Sequence, residues 1–232
     1  MKSSSPPSPQ PGKPFLEKLE SSNKVCGGLY LFDLYLSHDE CAEALKTLDS
    51  EDFPWDISPK LYGQKLTQHD YQHYQRSSSS TKKKIGRSAG LQKLEQIAGR
   101  IEMEFDGKIT DVYCNRFQDP THNIEWHKDT YGRHIFVLSL GSRRTVQFRN
   151  NKSRATDSIT PKEGDLYFMP LAINSTHMHR VCSAEETSEI LGEENSGTRL
   201  SFVFFFESPK YANEFKISKT DRFIGFVEDM LS

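Results

Sequence analysis

A series of short apolar segments separated by turn residues fills the second half of this chain and most constrains its fold. The segment RLSFVFFFE, Arg199–Glu207, is almost continuously apolar, which is typical of a strand buried on both faces. Val146 and Phe148 alternate with polar neighbours, as a half-buried strand requires. The other candidate strands are residues 110–117, 134–140, 145–149, 165–169 and 177–182. Short strands at this spacing predict a β-sandwich or a double-sheet jelly roll.

Two helices are predicted before these strands and one after them. Ser37 and Glu40 have the spacing of a capping box, which predicts a helix start. A second helix ends at Asp106-Gly107 and has apolar residues at three- and four-residue spacing, namely Leu91, Leu94, Ile97, Ala98, Ile101 and Phe105. The final helix is predicted to cap the domain through Phe223, Phe226, Val227 and Met230. The glutamate-rich segment 185–194 is expected to be a solvated loop.

Residues 1–24 are predicted to form a disordered tail, and residues 25–232 a single folded domain. Segment 3–14 is rich in proline and serine and nearly free of apolar residues, so it cannot bury enough surface to offset chain entropy. The chain has 232 residues and a net charge of -2, so the whole chain is not an electrostatic binder of nucleic acid or membrane.

The cysteines and the hydropathy pattern predict a cellular compartment. The four cysteines are scattered and contain no C-x-x-C pair, which predicts free thiols in a reducing compartment. The first residues lack the apolar run of a signal peptide, and no stretch approaches the length that spans a bilayer. We therefore expect an intracellular monomer, in the nucleus or the cytoplasm, with no membrane association.

The triplet His127-Lys128-Asp129 is the first indication of chemistry. Residues two apart on a strand project from the same face, so His127 and Asp129 can offer a nitrogen and an oxygen to one metal ion. One imidazole from a neighbouring strand would complete the two-histidine, one-carboxylate set of non-haem Fe(II) oxygenases, with three coordination positions open. His177 and His179 share one face of a predicted strand, and either side chain is a candidate.

Arg199 begins the longest apolar segment, where a charged side chain is unfavourable unless it binds something. An iron site of this kind needs an electron-rich cosubstrate, and a 2-oxo acid chelates metal through its keto oxygen and adjacent carboxylate. The far carboxylate of that acid then needs a cation, for which a guanidinium offers a planar, bidentate fork. Arg199 is therefore a candidate carboxylate anchor, and a structural ion pair is the alternative.

Taken together, these motifs resemble the AlkB family of Fe(II)- and 2-oxoglutarate-dependent dioxygenases. The resemblance covers residues 28–208 and depends on seven segments in the same order, SPKLYG at 58–63, NRF at 115–117, HKD at 127–129, IFVLSLG at 135–141, GDLYFM at 164–169, HRV at 179–181 and RLSFVFF from 199. It implies an α+β fold, with a double-stranded β-helix (jelly roll) core, flanking N-terminal helices and a C-terminal helix.

The resemblance also implies roles for particular residues. The catalytic residues that hold Fe(II) would be His127, Asp129 and His179, because His-Arg-Val matches the family's pattern better than the segment at His177 does. Arg199 would bind the distal carboxylate of 2-oxoglutarate. Asn115 would add a hydrogen bond to this cosubstrate.

Three positions in the cosubstrate site depart from the family pattern. Phe117 stands where the family has a tyrosine, so one hydroxyl that would contact the cosubstrate is missing. Ser201 replaces an asparagine, and Phe205 replaces a second arginine near the inner carboxylate. Because iron chelation also holds that carboxylate, cosubstrate binding is expected to survive these changes but to be weaker.

By similarity, the reaction would be oxidative demethylation of N-alkylated bases in DNA or RNA, with O2 as a cosubstrate. The base would have to be single-stranded or flipped, and stacked on aromatic side chains. The stacking candidates, for which core packing is the alternative, are Tyr62, Trp126 and Tyr131. A basic segment, 76–87, is either a solvated loop or a contact to phosphates through Lys82, Lys83, Lys84 and Arg87. Further positive charge comes from Arg76, Lys93 and Arg100.

Two other functions are compatible with the same residues. One is hydroxylation of a protein or lipid side group by the same iron chemistry. The other is a binding module that keeps the fold and has lost turnover. The departures at Phe117 and Phe205 favour this module, whereas the intact ligand triad and Arg199 argue against it. Formation of succinate from 2-oxoglutarate separates an enzyme from such a module.

Overall fold

The computed structural model describes residues 23–25, 28–57, 60–61, 64–65, 69–76, 88–129 and 133–208. Its helices are α1 (His38–Leu48), α2 (Ala89–Phe105), α3 (Leu171–Thr176) and α4 (Ala184–Leu191). Its strands are β1 (Asn23–Val25), β2 (Leu29–Phe32), β3 (Lys60–Leu61), β4 (Gln64–Lys65), β5 (Asp70–Gln75), β6 (Lys108–Phe117), β7 (Ile124–His127), β8 (His134–Gly141), β9 (Val146–Asn150), β10 (Thr156–Ile159), β11 (Leu166–Met169), β12 (His177–Val181) and β13 (Arg199–Glu207). The predicted C-terminal helix and most of the predicted tail lie outside the described residues.

The strands form two antiparallel sheets and a separate two-stranded pair. The larger sheet has the order β1-β2-β11-β8-β13-β6-β5, and the smaller has the order β10-β9-β12-β7. Strands β3 and β4 pair only with each other within the described ranges. Mostly antiparallel sheets with few helices make this an α+β architecture, consistent with a β-sandwich.

Strand β13 is central in the larger sheet and is buried on both faces. Its even-numbered residues, such as Phe202 and Phe204, join the apolar cluster that contains the buried residues of α1 and α2. Its odd-numbered Phe205 joins a second cluster, which includes Phe148 and Val181 of the smaller sheet. The larger sheet therefore lies between the helices and the smaller sheet. This confirms the expectation of a doubly buried strand at this position.

Both predicted N-terminal helices are present with the expected signals. At the start of α1, the Ser37 hydroxyl accepts from the Glu40 amide at 3.3 Å, and the Glu40 carboxylate accepts from the Ser37 amide at 2.8 Å. In α2, the six apolar residues that predicted the helix are all buried. Asp106 ends α2 in a left-handed conformation, with φ of 52°.

Several elements were not predicted from the sequence. Segment 185–194, expected to be a loop, instead contains most of α4, which starts with a capping box between Ser183 and Glu186. Strand β5 lies in a stretch for which no element was predicted, because its sequence DYQHYQ has no aliphatic residue to mark a buried face. Helix α3 has six residues, too few for a helical period to be visible.

The described cysteines are free thiols, as expected. Cys41, Cys114 and Cys182 are all buried, and burial raises the pKa of Cys41 and Cys182 to about 11. Among the described helices, none has the length and apolar character needed to cross a membrane.

Candidate metal centre and anion pocket

Two adjacent strands of the smaller sheet bring His127, Asp129 and His179 together. His127 is the last residue of β7, and it pairs directly with His179 of β12. Asp129 follows His127 by two residues. Each side chain offers one ligand atom, and these three atoms lie within 4.8 Å of one another. The predicted ligands therefore form a group that could bind one metal ion.

Hydrogen bonding leaves one nitrogen of His127 available as a ligand. Its Nδ1 lies 2.8 Å from the backbone carbonyl of Glu125, which can only accept a hydrogen bond. Nδ1 must therefore carry the proton, which leaves the lone pair of Nε2 free for a metal. The Nε2 atom of His179 lies 3.4 Å from Oδ2 of Asp129.

The protonation states also suit a metal. Burial, followed by the charge of His179, lowers the pKa of His127 to about 4, so this imidazole is neutral at neutral pH. Burial alone would raise the pKa of Asp129, but the hydrogen bond and charge of His179 hold it below its usual value. A neutral imidazole and an ionised carboxylate are the forms that bind metals.

His177 is excluded from the ligand group by its own hydrogen bonds. Its Nδ1 lies 2.9 Å from the hydroxyl of Thr176, and its Nε2 lies 3.3 Å from the side-chain nitrogen of Asn150. The structure thus places His179, and not His177, with His127 and Asp129. The described ligand group therefore does not include His177.

Asn174 of α3, which the sequence did not suggest, holds the backbone of Asp129. Its side-chain nitrogen donates to the carbonyl of Asp129 at 2.7 Å, and its side-chain oxygen accepts from the Asp129 amide at 3.2 Å. Asn174 is buried, with 3% of its surface exposed. The pair of bonds fixes the chain just beyond the end of β7.

Arg199 is fully buried and mostly without partners. Its Nη2 donates to the Ser139 hydroxyl at 3.0 Å, whereas its Nε and Nη1 have no hydrogen-bond partner among the described residues. Its guanidinium lies over the ring of Phe117, 5.6 Å from the ring centre. No ion pair to Arg199 exists within the described chain, so the structural alternative finds no support there. Burial lowers the pKa of Arg199 to about 10.

Polar side chains continue from Arg199 across the inner face of the larger sheet. Ser201 pairs in register with Asn115 of β6 on one side and with Ser139 of β8 on the other. The Asn115 side-chain oxygen lies 3.0 Å from Nε2 of His69, and the His69 ring stacks on Phe117 at 5.2 Å. The predicted cosubstrate residues therefore share one buried surface with Arg199.

Tyr167 of β11 is a further residue that the sequence analysis missed. The pKa of Tyr167 is raised, mainly by burial. The charge of Arg199 acts in the opposite direction, and the charge of Asp129 adds to the increase. The phenol is therefore within electrostatic reach of both the arginine and the metal-ligand group.

The predicted substrate residue Trp126 lies on the other side of the smaller sheet from the ligand group. The centre of its ring lies 4.3 Å from the Arg149 guanidinium and 5.4 Å from the Arg180 guanidinium. Arg149 and Arg180 alternate along their strands with Phe148 and with Val181, which belong to the cluster between the sheets. Trp126 is therefore on the outer face.

The remaining substrate candidates, Tyr62, Tyr131, Lys82, Lys83, Lys84 and Arg87, lie outside the described residues. The described cations of the basic region have acidic partners, because Arg76 pairs with Glu95 and Glu102, Lys93 with Glu43, and Arg100 with Glu40 and Glu104. These three cations therefore add little free positive charge for a nucleic acid.

Comparison with known proteins finds a partial match to a viral protein. No protein-family model matches the chain. An uncharacterized protein of Acanthamoeba polyphaga mimivirus is 27% identical over 116 residues. That match covers 48% of this chain and 53% of the viral protein, so the chain spans about half the length of this relative.

Proposed function

We propose that the protein is an Fe(II)- and 2-oxoglutarate-dependent dioxygenase of the AlkB type, with a double-stranded β-helix core. The main support is one combination of observations on the described residues. A group of two histidines and one aspartate lies on the smaller sheet. A fully buried arginine with two unpaired nitrogens, Arg199, lies on the inner face of the larger sheet.

The donor set fits iron. Two imidazoles and one carboxylate are the ligands of non-haem Fe(II) oxygenases. The hydrogen bond from His127 to the Glu125 carbonyl is the outer-shell contact that such a ligand usually has. When bound, Fe(II), 2-oxoglutarate and O2 would supply hydroxylation of a C–H bond, with succinate and CO2 as co-products.

Each residue of the site then has a physical role. His127 and Asp129 are held in the protonation states of ligands by their surroundings. Arg199 would bind the distal carboxylate, because burying a guanidinium without an anion is unfavourable. Asn115 and Ser201 would orient the cosubstrate by hydrogen bonds. The apolar cluster between the sheets would exclude water from the reacting atoms.

We propose N-methylated bases of DNA or RNA as the substrates. Hydroxylation of an N-methyl group gives an N-hydroxymethyl group, which leaves as formaldehyde and restores the N–H. The support for this substrate is the resemblance in motif order. The paired cations described above do not add to it.

Succinate and formaldehyde release from the iron-loaded full chain tests the proposal. We expect both products with 2-oxoglutarate and methylated oligonucleotides, and none from Asp129→Ala. The matched control is His177→Ala, which removes a neighbouring histidine outside the ligand group and should retain turnover. Formaldehyde from methylated peptides instead would indicate a protein substrate. No succinate with any of these substrates would favour the non-catalytic module.

A further inference from the structure

A second fully buried arginine, Arg144, lies in the segment that connects β8 to β9. Its Nη1 donates to the backbone carbonyl of Arg143 at 3.1 Å. Its Nε and Nη2 have no hydrogen-bond partner among the described residues, and its relative exposure is 0%. No motif marked this residue, and the roles assigned above do not include it.

The backbone around Arg144 is fixed at the start of β13. Gly141 adopts a φ of 75°, and the amide of Ser142 then donates to the carbonyl of Thr198 at 2.9 Å. Thr145 is held by the Thr187 hydroxyl, which accepts from its amide at 3.0 Å. The segment that carries Arg144 is therefore attached both to the residue preceding Arg199 and to α4.

The segment that carries Arg144 lies beside the start of the strand that carries Arg199, because the Ser142 amide donates to the Thr198 carbonyl. The charge of Arg144 contributes to lowering the pKa of Arg199, after burial and against the effect of Tyr167. Burial also lowers the pKa of Arg144 itself. In the described part of the chain, neither guanidinium has an ion pair. Two buried like charges without an acid are strongly unfavourable, so the arrangement is complementary to an anion.

We propose that Arg144 and Arg199 together bind the distal carboxylate of 2-oxoglutarate, so that two guanidiniums and not one select a dicarboxylic 2-oxo acid. This inference depends on the function proposed above. It also bears on Phe205, which takes the place of the family's second arginine and is packed against Tyr113 with 4.8 Å between ring centres. Phe205 therefore leaves the inner carboxylate to the metal, whereas Arg144 would add a second cation at the distal carboxylate.

Binding to the Mn(II)-loaded full chain, measured anaerobically by calorimetry, tests this role of Arg144. The ligands are 2-oxoglutarate and pyruvate, which shares the metal-chelating group and lacks the distal carboxylate. We expect Arg144→Met to weaken binding of 2-oxoglutarate by about tenfold or more and to leave that of pyruvate unchanged. The matched control is Arg143→Met, because the adjacent Arg143 pairs with Glu193 and is only half-buried. It should change neither affinity.

The outcomes separate this inference from the proposed function. If wild type binds 2-oxoglutarate and Arg144→Met keeps the same preference over pyruvate, the role of Arg144 is overturned while the proposed function stands. Equal losses for both acids would indicate a structural role only. If wild type binds neither acid, the proposed function itself is contradicted. If Arg144→Met fails to fold, Arg144→Lys replaces it in the test. We expect Arg144→Lys to lower the affinity for 2-oxoglutarate severalfold and to leave that for pyruvate unchanged. An unchanged preference for 2-oxoglutarate over pyruvate would contradict the inference.

Discussion

Asn174 shows how one neutral side chain can position a charged ligand. Its amide makes two hydrogen bonds to the backbone of Asp129 and none to the carboxylate. The direction of a carboxylate follows from that of its backbone, so these bonds restrict where the ligand oxygen can point. Such supporting contacts are worth about 10–100-fold in metal affinity in known metal sites.

We therefore predict that Asn174→Ala weakens Mn(II) binding by about 10-fold or more. Calorimetric titration measures this, and thermal unfolding shows that the variant is folded. Ser175→Ala is the matched control, because the Ser175 hydroxyl bonds only to the Leu171 carbonyl within the same helix. A folded Asn174→Ala protein with wild-type affinity would falsify the positioning role.

Arg199→Met should raise the concentration of 2-oxoglutarate that is needed for half-maximal succinate formation by about tenfold or more. The reason is the loss of charge-assisted hydrogen bonds, each worth about 1.5–3 kcal/mol. Mn(II) affinity in the absence of cosubstrate should stay unchanged, because Arg199 is not a ligand. An unaltered requirement for 2-oxoglutarate would contradict the carboxylate role.

Helix α2 is attached to the edge strand β5 through the residue that follows the strand. Arg76 bonds to both Glu95 carboxylate oxygens at 2.8 and 2.9 Å and to Glu102 at 2.7 Å. Both glutamates lie on α2, and all three side chains are largely buried. We predict that Arg76→Met lowers the free energy of unfolding by about 1–3 kcal/mol at neutral pH, between the values for exposed and buried ion pairs.

This contribution should depend on pH in a defined direction. Burial would raise the pKa of Glu95, but hydrogen bonds from Arg76 and Tyr74 dominate and lower it from 4.5. The stabilisation is then complete above pH 4.5 and disappears as the pH falls through the folded-state pKa. Urea unfolding at decreasing pH should show the difference between wild type and Arg76→Met shrinking below that value. A constant difference would refute the assignment.

The elements that the sequence predicted are those with a visible period or a marked end. The spacing of apolar residues in α2 predicts an amphipathic helix, and the continuous apolar run of β13 predicts a buried strand. Both predictions are confirmed. Segment 185–194 was expected to be a loop because of its high glutamate content, although Ser183 and Glu186 have the spacing of a capping box. Strand β5 has no apolar period, and its position depends on pairing with β6.

The residues of the candidate site also differ in whether a local sequence pattern could predict them. His127 and Asp129 are two residues apart, so a local rule was enough to associate them, and motif order supplied His179. Asn174 meets Asp129 across 45 residues of sequence. The role proposed for Arg144 depends on the chain returning beside its segment at Thr198, whose carbonyl accepts from the Ser142 amide. Contacts between residues so far apart in the sequence leave no local pattern, so neither residue could be identified before the fold was known.

Bound metal and cosubstrate would connect the two sheets. The ligand histidines belong to the smaller sheet, and Arg199 belongs to the larger one. At concentrations of 100 Kd, a ligand specific for the folded state stabilises by about 2.7 kcal/mol. For a chain of this size we predict a Tm increase of about 5–10 °C with Mn(II) and 2-oxoglutarate together. Scanning calorimetry measures it, and Asp129→Ala should show no increase; equal increases in both proteins would argue against this site.

Strand β13 carries apolar side chains on both faces, so its phenylalanines alone do not distinguish one face from the other. A slip of one residue would still bury them, but it would turn Arg199 and Ser201 toward the cluster that contains Leu94 and Phe105. A guanidinium among such side chains is strongly disfavoured. The residues proposed to recognise the cosubstrate therefore also disfavour a one-residue shift in the register of β13. A chain with apolar residues at both positions would lose this penalty, so a compact fold with a misaligned β13 would be less strongly disfavoured.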